Sequence, residues 1–313
     1  MSWHVKELVY EARSPVHIGF HNLGMIQRTR FYIPGKVIWG ATTSRLTRLV
    51  YRNPTSKNYE KVGKYLKENV IFTYLFPSLD GVEAYIPSYS NGYGYETSSN
   101  WTPQEELEHQ LISSYGSTAM EPSSGSAEVG SLHDTELLIS TPKGSSDSLK
   151  FLGYVFWQTQ KLSINGIYAV STYDDLKFLG NNGEVSFFSQ VMSNIQVGGG
   201  RSYGYGDLYN DPDAQILKID NPLWNRFNIS LSDTDIQVTL TDKLPIPGHV
   251  IAKSHHIQMD GGIEPMVGRD WDNAKGKGAG RSTSFRGVGF VPGSIIRGED
   301  INVQMCFDGV MEY

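Results

Sequence analysis

The sequence contains a single cysteine, Cys306, among 313 residues. One cysteine excludes a disulfide framework within the chain and any zinc or iron–sulfur site with several cysteine ligands, and it fits a reducing compartment. Long apolar runs are also absent, and charged residues occur within the first ten positions, so neither a membrane span nor an export signal is expected. We therefore expect a cytoplasmic protein, and we expect no cofactor.

The net charge of −6 hides an uneven distribution of charge along the chain. Residues 1–52 carry eight Lys or Arg against two Glu, and a second basic island, residues 269–287, carries five Lys or Arg against two Asp. A local excess of positive charge attracts polyanions even when the whole chain is acidic. Solvated charge clusters are common in other proteins too, so charge alone leaves a nucleic-acid partner as one open possibility.

The stretch "GGGRSYGYG" (residues 198–206) places five glycines, an arginine and two tyrosines within nine residues. Glycine costs roughly 0.5–1 kcal/mol relative to alanine inside an element, so this cluster indicates either a tight turn or backbone that approaches a ligand closely. It follows a predicted helix and precedes a predicted strand, which reverses the order found in phosphate-binding nucleotide loops. It also lacks the Gly-Lys-Ser/Thr ending of those loops, so a nucleotide-hydrolysing site is not expected.

Hydrophobic periodicity predicts mixed α and β structure. The predicted elements are strands over residues 5–13, 14–20, 148–157 and 214–220, a hairpin over 226–242, and helices over 38–53, 56–69 and 184–197. On the first helix, Arg45, Arg48 and Arg52 follow one stripe. The second helix carries four lysines that fit a solvated face: Lys57, Lys61, Lys64 and Lys67.

Composition divides the chain into two units. The first, residues 1–220, has a serine-rich polar segment, residues 91–131, which is interpreted as an inserted or mobile loop. The second, residues 221–313, is β-rich and contains the basic, glycine-rich island 269–287 as a loop. At 39% hydrophobic residues, the chain is long enough to bury one large core or two ordinary ones.

Two short phrases echo each other across the chain. "RFYIPGKVIWG" (residues 30–40) and "GFVPGSIIRG" (residues 289–298) both read aromatic, aliphatic, Pro-Gly, then an aliphatic pair and Gly. Proline fixes φ and glycine permits a left-handed turn, so each phrase predicts a strand that ends in a sharp corner. Their placement suggests two related half-units.

These motifs carry a family resemblance. "SPVHIGF" followed by "RTRFYIPGKVIWGATTSRLTRL", with "GGGRSYGYGDL" after a later helix, resembles the RAMP (repeat-associated mysterious protein) superfamily of CRISPR-associated proteins. The resemblance covers about the first 210 residues. It implies an α+β fold of tandem ferredoxin-like (RNA-recognition-type) β-α-β-β-α-β units with antiparallel sheets, the second unit being degenerate and β-rich. It also implies CRISPR RNA as a partner, together with other subunits of a multisubunit effector complex and, indirectly, target RNA.

The residue types at these motifs suit RNA. Glycine lets backbone N–H groups approach phosphates, arginine adds charge-assisted contacts, and tyrosine can stack on unpaired bases. Trp39 is a candidate stacking platform or a core residue. The candidate RNA-binding residues are Arg28, Arg30, Lys36, Arg45, Arg48, Gly198, Gly199, Gly200, Arg201, Ser202, Tyr203, Tyr205, Lys275, Lys277 and Arg281.

Acidic residues are missing between residues 18 and 34. Backbone subunits of type III complexes in the resembled family cut target RNA with an aspartate shortly before the Pro-Gly corner, so this departure counts against cleavage from that loop. "GVGFVPGSII" (residues 287–296) resembles a late corner of the subunits that hold the 5′ handle of the guide RNA. The favoured role is a non-catalytic, handle-binding subunit of a type III effector complex, and a backbone subunit is an alternative.

A second hypothesis is a metal-independent endoribonuclease that processes CRISPR precursor RNA. Such chemistry needs a general base near neutral pH, for which histidine is the usual choice. His21 is the weak catalytic candidate, with His17 nearby. His255 and His256, with Asp260, suggest a metal site, but adjacent strand residues point to opposite faces, so no metal is expected. Whether Asp260 or Asp270 takes over the cleavage role of the missing aspartate is left open by the sequence.

A third hypothesis leaves RNA aside. The tyrosine-rich segment "SYSNGYGYETSSNW" (residues 88–101) has the composition of an adaptable contact surface for a glycan or a protein. Strong, salt-sensitive RNA binding would separate this binding module from the first two hypotheses, because phosphate contacts release counterions.

Overall fold

The structure is a computed structural model of the chain. It describes residues 3–158, 162–164, 167–172, 174–180, 183–211, 227–232, 235–242, 244–251, 257–272 and 278–313. Within these residues the fold is α+β, with mostly antiparallel sheets and few helices. No helix in this part of the chain is long and apolar enough to cross a membrane.

The elements up to residue 138 are, in chain order, β1 (Trp3–Ala12), β2 (Gly19–Leu23), β3 (Ile26–Thr29), α1 (Gly35–Val50), α2 (Ser56–Asn69), β4 (Val70–Phe72), β5 (Phe76–Ser78), β6 (Ile86–Ser88), β7 (Gly94–Glu96), β8 (Trp101–Pro103), α3 (Gln104–Leu111), β9 (Ile112–Ser117) and β10 (His133–Leu138).

The elements that follow are β11 (Lys150–Gln158), β12 (Leu162–Ile164), β13 (Ile167–Ser171), β14 (Leu176–Gly180), β15 (Gly183–Ser186), a π-helical turn (Phe187–Met192), β16 (Asn194–Gln196), a 3₁₀ turn (Arg201–Tyr203), β17 (Asp207–Asn210), β18 (Asn228–Leu231), β19 (Ile236–Leu240), β20 (Val250–Ile251), β21 (Gln258–Asp260), β22 (Ile263–Asp272), β23 (Gly278–Phe290), β24 (Ile295–Arg297), β25 (Ile301–Met305) and β26 (Met311–Glu312).

A central antiparallel sheet organises the first part of the chain. Its strand order is β16-β17-β1-β11-β4, and β5 also pairs with β11. Helices α1 and α2 connect β1 to β4 along the chain, and the π-helical turn lies between β11 and β17. The strands of this sheet are thus far apart in sequence. Its two longest strands, β1 and β11, pair with each other at its centre.

Strand β11 is buried on both faces. Phe151, Val155 and Trp157 belong to the hydrophobic cluster that includes α1 and α2. Leu152 and Phe156 belong to a second cluster with residues of the seven-stranded sheet β18-β19-β25-β26-β20-β23-β22. Successive strand side chains point to opposite faces, so this near-continuous apolar strand is sandwiched between a helical layer and a second sheet.

Helix α1 begins at the first Pro-Gly corner. Pro34 occupies the N-cap with extended backbone, ψ 144°, and Gly35 is the first helical residue. A Cβ on Gly35 would lie 2.1 Å from the carbonyl oxygen of Phe72 and 2.5 Å from that of Asp308. The second corner, at Gly293, has φ +94°, and a Cβ there would meet the backbone of Pro87 at 2.6 Å. Only glycine fits either approach. The left-handed turn predicted from the sequence is present at Gly293, whereas Gly35 is helical and is required there for the close approach alone.

Several sequence predictions agree with these elements. The helix predicted over 56–69 and the strand over 148–157 match α2 and β11 closely, and the hairpin over 226–242 is formed by β18 and β19 within the described residues. The helix predicted over 184–197 is wrong in extent. Its apolar spacing is satisfied by one π-helical turn, because its two ends pair with β14 and β17 as strands.

The polar segment 91–131 contains regular structure. Strands β7, β8 and β9 and helix α3 lie within it. Tyr95, Leu107 and Leu111 are buried in the main core and anchor these short elements, which the serine-rich composition conceals. The strand predicted over 214–220 lies outside the described residues. The division of the chain at residue 220 stays a prediction.

A chain of buried polar groups links the two halves of the sequence. The Tyr74 hydroxyl lies 2.6 Å from Nδ1 of His249, whose Nε2 contacts the carboxylate of Glu264. Arg30 donates to the same carboxylate at 2.8 Å and to the Tyr32 hydroxyl at 2.7 Å. Burial lowers the pKa of His249, so its imidazole is neutral, accepts from Tyr74 and donates to Glu264.

We expect this network to make the fold sensitive to acid. The pKa of His249 is lowered from 6.5 by burial, so the unfolded chain binds a proton more readily and stability falls as the pH drops below about 6.5. Burial opposes ionisation of Glu264, but the bond from His249 and the charge of Arg30 outweigh it and lower its pKa, so a further loss follows below its ordinary value of 4.5. Urea unfolding should show a free energy of unfolding that falls as the pH is lowered from about 7 to about 5.

The His249→Gln variant should lose part of this pH dependence, because glutamine keeps hydrogen-bonding capacity and does not titrate. The matched control is His109→Gln, which alters an exposed histidine of α3. Equal pH dependence in the wild type and in His249→Gln would contradict the assignment of the buried network as its source.

Candidate nucleic-acid interface

The glycine-rich stretch forms a compact loop between β16 and β17. Its backbone is held by bonds from the Gly199 N–H to the carbonyl oxygen of His17 (2.9 Å) and from the Gly206 N–H to that of Pro15 (2.8 Å). The Gln196 side-chain amide donates to the carbonyl oxygens of Arg201 (3.1 Å) and Tyr205 (3.2 Å). These bonds fix the loop against the segment before β2.

Positive φ angles explain why glycine is used so often in this loop. Gly198, Gly200, Gly204 and Gly206 have φ of +74°, +67°, +87° and +78°. A Cβ on Gly198 would lie 2.1 Å from the carbonyl oxygen of His17, and one on Gly206 would lie 1.9 Å from that of Val197. The tight turn predicted from the sequence is confirmed, and the close contacts of these glycines are with the protein's own backbone.

The loop forms one wall of a large groove of about 1170 Å³. Its other walls are α1, α2 and the hairpin of β22 and β23, so three regions that are distant in sequence meet there. Among the described lining residues, five are basic and one is acidic. They are Lys36, Lys64, Lys67, Arg201 and Arg269, with Glu60 as the acid.

Arg201 is one of the available cations of the groove. It is exposed at the start of the 3₁₀ turn, and within the described residues its guanidinium has no acidic partner. Lys36, by contrast, lies 3.3 Å from Asp270, and Lys64 lies 3.8 Å from Glu68. Within the described residues Arg201 is therefore free of the ion pairs that engage Lys36 and Lys64, as are the exposed Lys67 and Arg269.

The tip of the loop presents aromatic and polar side chains to solvent. Ser202 is exposed, and Tyr203 is 81% exposed, with its ring centroid 6.4 Å from that of the half-buried Tyr205. Trp39 lines the groove, but it is half-buried and its indole N–H donates to the carbonyl oxygen of Gly63 at 3.0 Å. A single exposed ring, that of Tyr203, is thus freely presented at this tip for stacking.

The two arginines of α1, Arg45 and Arg48, do not line the groove. Arg48 is exposed and bonds the carbonyl and hydroxyl oxygens of Ser44, a lining residue, at 3.2 Å each. Arg45 donates to the carbonyl oxygen of Gln190 at 2.9 Å, toward the π-helical turn. Arg48 extends the basic surface along the helix, whereas Arg45 lies beside another element.

Arg28 and Arg30 are not in the groove. The Arg28 guanidinium lies 2.8 Å from Glu136, and Arg30 is held by Glu264 and Tyr32 as described above. Their positive charges are neutralised by carboxylates from other parts of the chain. Their RNA-binding role stays a prediction, and the structure places them in the wall of a second cavity.

Three predicted residues fall in the basic island. Lys275 and Lys277 lie outside the described residues, as do His255 and His256. Arg281 belongs to β23, but its side chain is outside the described part of the structure. The neighbouring Arg269 reaches the groove and donates to the carbonyl oxygen of Gly280 at 3.4 Å.

Three basic residues of the groove are not among the RNA-binding candidates predicted from the sequence: Lys64, Lys67 and Arg269, although Arg269 begins the basic island. The sequence pattern assigns the two lysines, with the rest of their helix, to a solvated face. Residues three apart lie on one side of a helix, so this spacing is the feature of the sequence that indicates a shared surface for Lys64 and Lys67. Lys67 also lies 4.9 Å from the ring of Phe307, so the C-terminal segment positions it.

The two early histidines have different surroundings. His17 is buried, and its Nδ1 lies 2.8 Å from the carbonyl oxygen of Glu136, which makes it a structural residue beneath the glycine-rich loop. His21 is exposed and packs on Phe20, with ring centroids 3.5 Å apart. Among the described residues, no three His, Cys, Asp or Glu side chains are grouped as metal ligands.

No protein-family model matches this sequence, and a search of curated proteins finds no match either. Among solved structures, a chain of a Type III-B Cmr-beta assembly bound to cognate target RNA and AMPPnP is 10% identical, with a TM-score of 0.46 over 93% of this chain and 86% of that one. Cmr6 from Pyrococcus furiosus is 11% identical, with a TM-score of 0.31 over 67% of this chain and 100% of that one.

Substitutions in the loop should separate backbone strain from steric overlap. Gly204→Ala places a Cβ in open space at positive φ and should cost about 1 kcal/mol. Gly206→Ala adds an overlap with the carbonyl oxygen of Val197 and should cost about 2 kcal/mol or more. Urea unfolding of both variants measures the difference. Equal costs would show that the close approach of Gly206 does not constrain the loop.

Proposed function

We propose that this chain is a CRISPR RNA-binding structural subunit of a type III effector complex and that it holds the 5′ handle of the guide RNA. The observation that carries this proposal is the basic groove. Its walls unite the glycine-rich loop, the helix after the first Pro-Gly corner and the basic island, which are the segments that carry the sequence resemblance and the positive charge. A groove with five cations suits a single RNA strand.

The fold supports RNA-recognition-type units. In the central sheet, β17, β1, β11 and β4 lie side by side, which is the 4-1-3-2 order of a β-α-β-β-α-β unit. Helices α1 and α2 take the place of the first helix, and the π-helical turn takes the place of the second. For the second half, the proposal of a degenerate, β-rich unit rests on the second Pro-Gly corner and its echo of the first.

The arrangement of carboxylates supports a non-catalytic role. Asp270, at the edge of the groove, pairs with Lys36, and Asp260 pairs with Arg297. Burial alone would raise the pKa of Asp270, but the bond from Ser284 and the charge of Lys36 lower it, so this carboxylate is ionised and engaged. An aspartate held in an ion pair is poorly placed to act as a base on RNA.

Binding to end-labelled CRISPR repeat RNA tests this proposal. The Arg201→Ala variant should bind several-fold more weakly and should lower the slope of log K against log salt by about 0.7, the value for one phosphate contact on a single strand. The matched control is Lys143→Ala, which removes an exposed lysine outside the groove. Equal salt slopes for the two variants would contradict a phosphate contact at Arg201.

The same samples, incubated in EDTA and analysed on a denaturing gel, test the absence of cleavage. We expect the RNA to remain intact. Site-specific cutting that survives EDTA and disappears in His21→Ala would instead identify a processing endoribonuclease. Failure to bind RNA at all would favour the glycan- or protein-binding module.

A further inference from the structure

A second cavity, of about 270 Å³, lies where three parts of the chain meet. Its walls come from β2 and β3, from the tyrosine-rich segment with β7 and α3, and from β22 with the residues after β23. This volume is just below the range of about 300–1,000 Å³ typical of small-molecule pockets, so the cavity has room for one ring system. We call it the aromatic pocket.

Aromatic side chains dominate its lining. Phe31 and Tyr95 are buried, with ring centroids 5.4 Å apart, and form the inner wall. Tyr93 and Phe20 are 38% and 43% exposed and lie at the opening. Tyr89 packs against Tyr93 with centroids 4.9 Å apart. Exposed rings beside buried ones form a surface against which a flat, apolar ring can stack.

The charges that line the pocket are already balanced. Arg28 pairs with Glu136, and Arg30 pairs with Glu264 and lies over the Phe20 ring at 4.3 Å. A phosphate needs an unneutralised cation, which neither arginine provides. The pocket therefore favours a neutral, planar ligand over an anion.

Polar atoms are present at one wall for the edge of such a ring. Gln104 and Glu108 on α3 both line the pocket. The Gln104 amide donates to Oε1 of Glu108 at 2.5 Å, and Arg28 lies 3.6 Å from the same oxygen, so Oε1 of Gln104 and Oε2 of Glu108 are the acceptors that face a ligand. An amide and a carboxylate offer donors and acceptors that match the edge of a nucleobase. A few polar groups in an aromatic enclosure are what a site for an unstacked base requires.

The aromatic pocket adjoins the basic groove through β2. Gly19 lines the groove, and the next residues, Phe20 and His21, line the aromatic pocket. Consecutive residues of one strand therefore line both sites, which places their rims side by side at β2. A strand of RNA in the groove can thus turn one base into the pocket while its phosphates stay among the cations.

We propose that the aromatic pocket takes a single unpaired nucleobase from an RNA strand bound in the basic groove. This inference rests on the proposed function and deepens it, since it assigns base contacts to a site separate from the phosphate contacts. The groove supplies affinity through charge, and the pocket supplies stacking. The two contributions differ in their dependence on salt.

That difference provides the test. With end-labelled CRISPR repeat RNA, Tyr93→Ala should weaken binding roughly fivefold to a hundredfold, the loss expected for one stacked base, and leave the salt slope unchanged. Phe20→Ala should behave in the same way. The matched control is Tyr115→Ala, which removes an exposed tyrosine of β9 outside the pocket and should leave affinity unchanged.

A second measurement uses the unaltered chain. Repeat RNA that carries 4-thiouridine or 6-thioguanosine is cross-linked by light, and the modified peptides are mapped by mass spectrometry. We expect cross-links at Phe20 or within residues 89–95 in addition to those at the groove. Cross-links at the groove alone, with Tyr93→Ala and Tyr115→Ala binding equally well, would contradict the role of the pocket in base binding. The proposed function would still stand in that case.

A different result marks failure of the proposed function itself. If the wild-type chain and every variant fail to bind repeat RNA at any salt concentration, the groove is not an RNA site and the inference falls with it. A lowered salt slope in Arg201→Ala together with an unchanged affinity in Tyr93→Ala would support the groove and contradict the pocket, so one set of titrations separates the two claims.

Discussion

The close approach of Gly35 to the backbone of Phe72 and Asp308 is the constraint on which the candidate sites depend. At this point the start of α1 touches both the edge strand of the central sheet and the C-terminal segment, and no side chain fits between them. Ion pairs tie the halves together beside this contact, Arg30 to Glu264 and Lys36 to Asp270. The residue after Gly35, Lys36, lines the groove, and Phe31 and Tyr32, a few residues before it, line the aromatic pocket.

The basic residues have two distinct roles in this arrangement. Those with carboxylate partners, such as Arg30, hold segments of the chain together, and their desolvation is offset by pairing. Those exposed in the groove, such as Arg201, keep their charge available to a ligand. Because opposite charges cancel locally, the count of Lys and Arg in a stretch of sequence says little about which surface attracts a polyanion. The groove arises from the fold, which brings unpaired cations from three segments together.

The sequence predicted the elements whose signals are local. Helix α2 and strand β11 follow from apolar spacing, and the glycine-rich loop follows from its composition. Predictions from the sequence were wrong or incomplete where the local structure depends on contacts with residues that are distant in sequence. The ends of segment 184–197 became strands because neighbouring strands were available, and the lysines at 64 and 67 became part of the groove because the loop and the hairpin face them. The aromatic pocket had a signal in its tyrosines, but its position beside β2 was visible only in the fold.

Lysine footprinting tests the central claim, that RNA lies in the basic groove. The full chain is acetylated with and without single-stranded repeat RNA, and the reactivity of each lysine is read by mass spectrometry. The account predicts protection of Lys36, Lys64 and Lys67, and unchanged reactivity of Lys57, which lies on the same helix as two of them but does not line the groove. Equal protection of Lys57 and Lys64, or protection confined to lysines outside the groove such as Lys143, would contradict it.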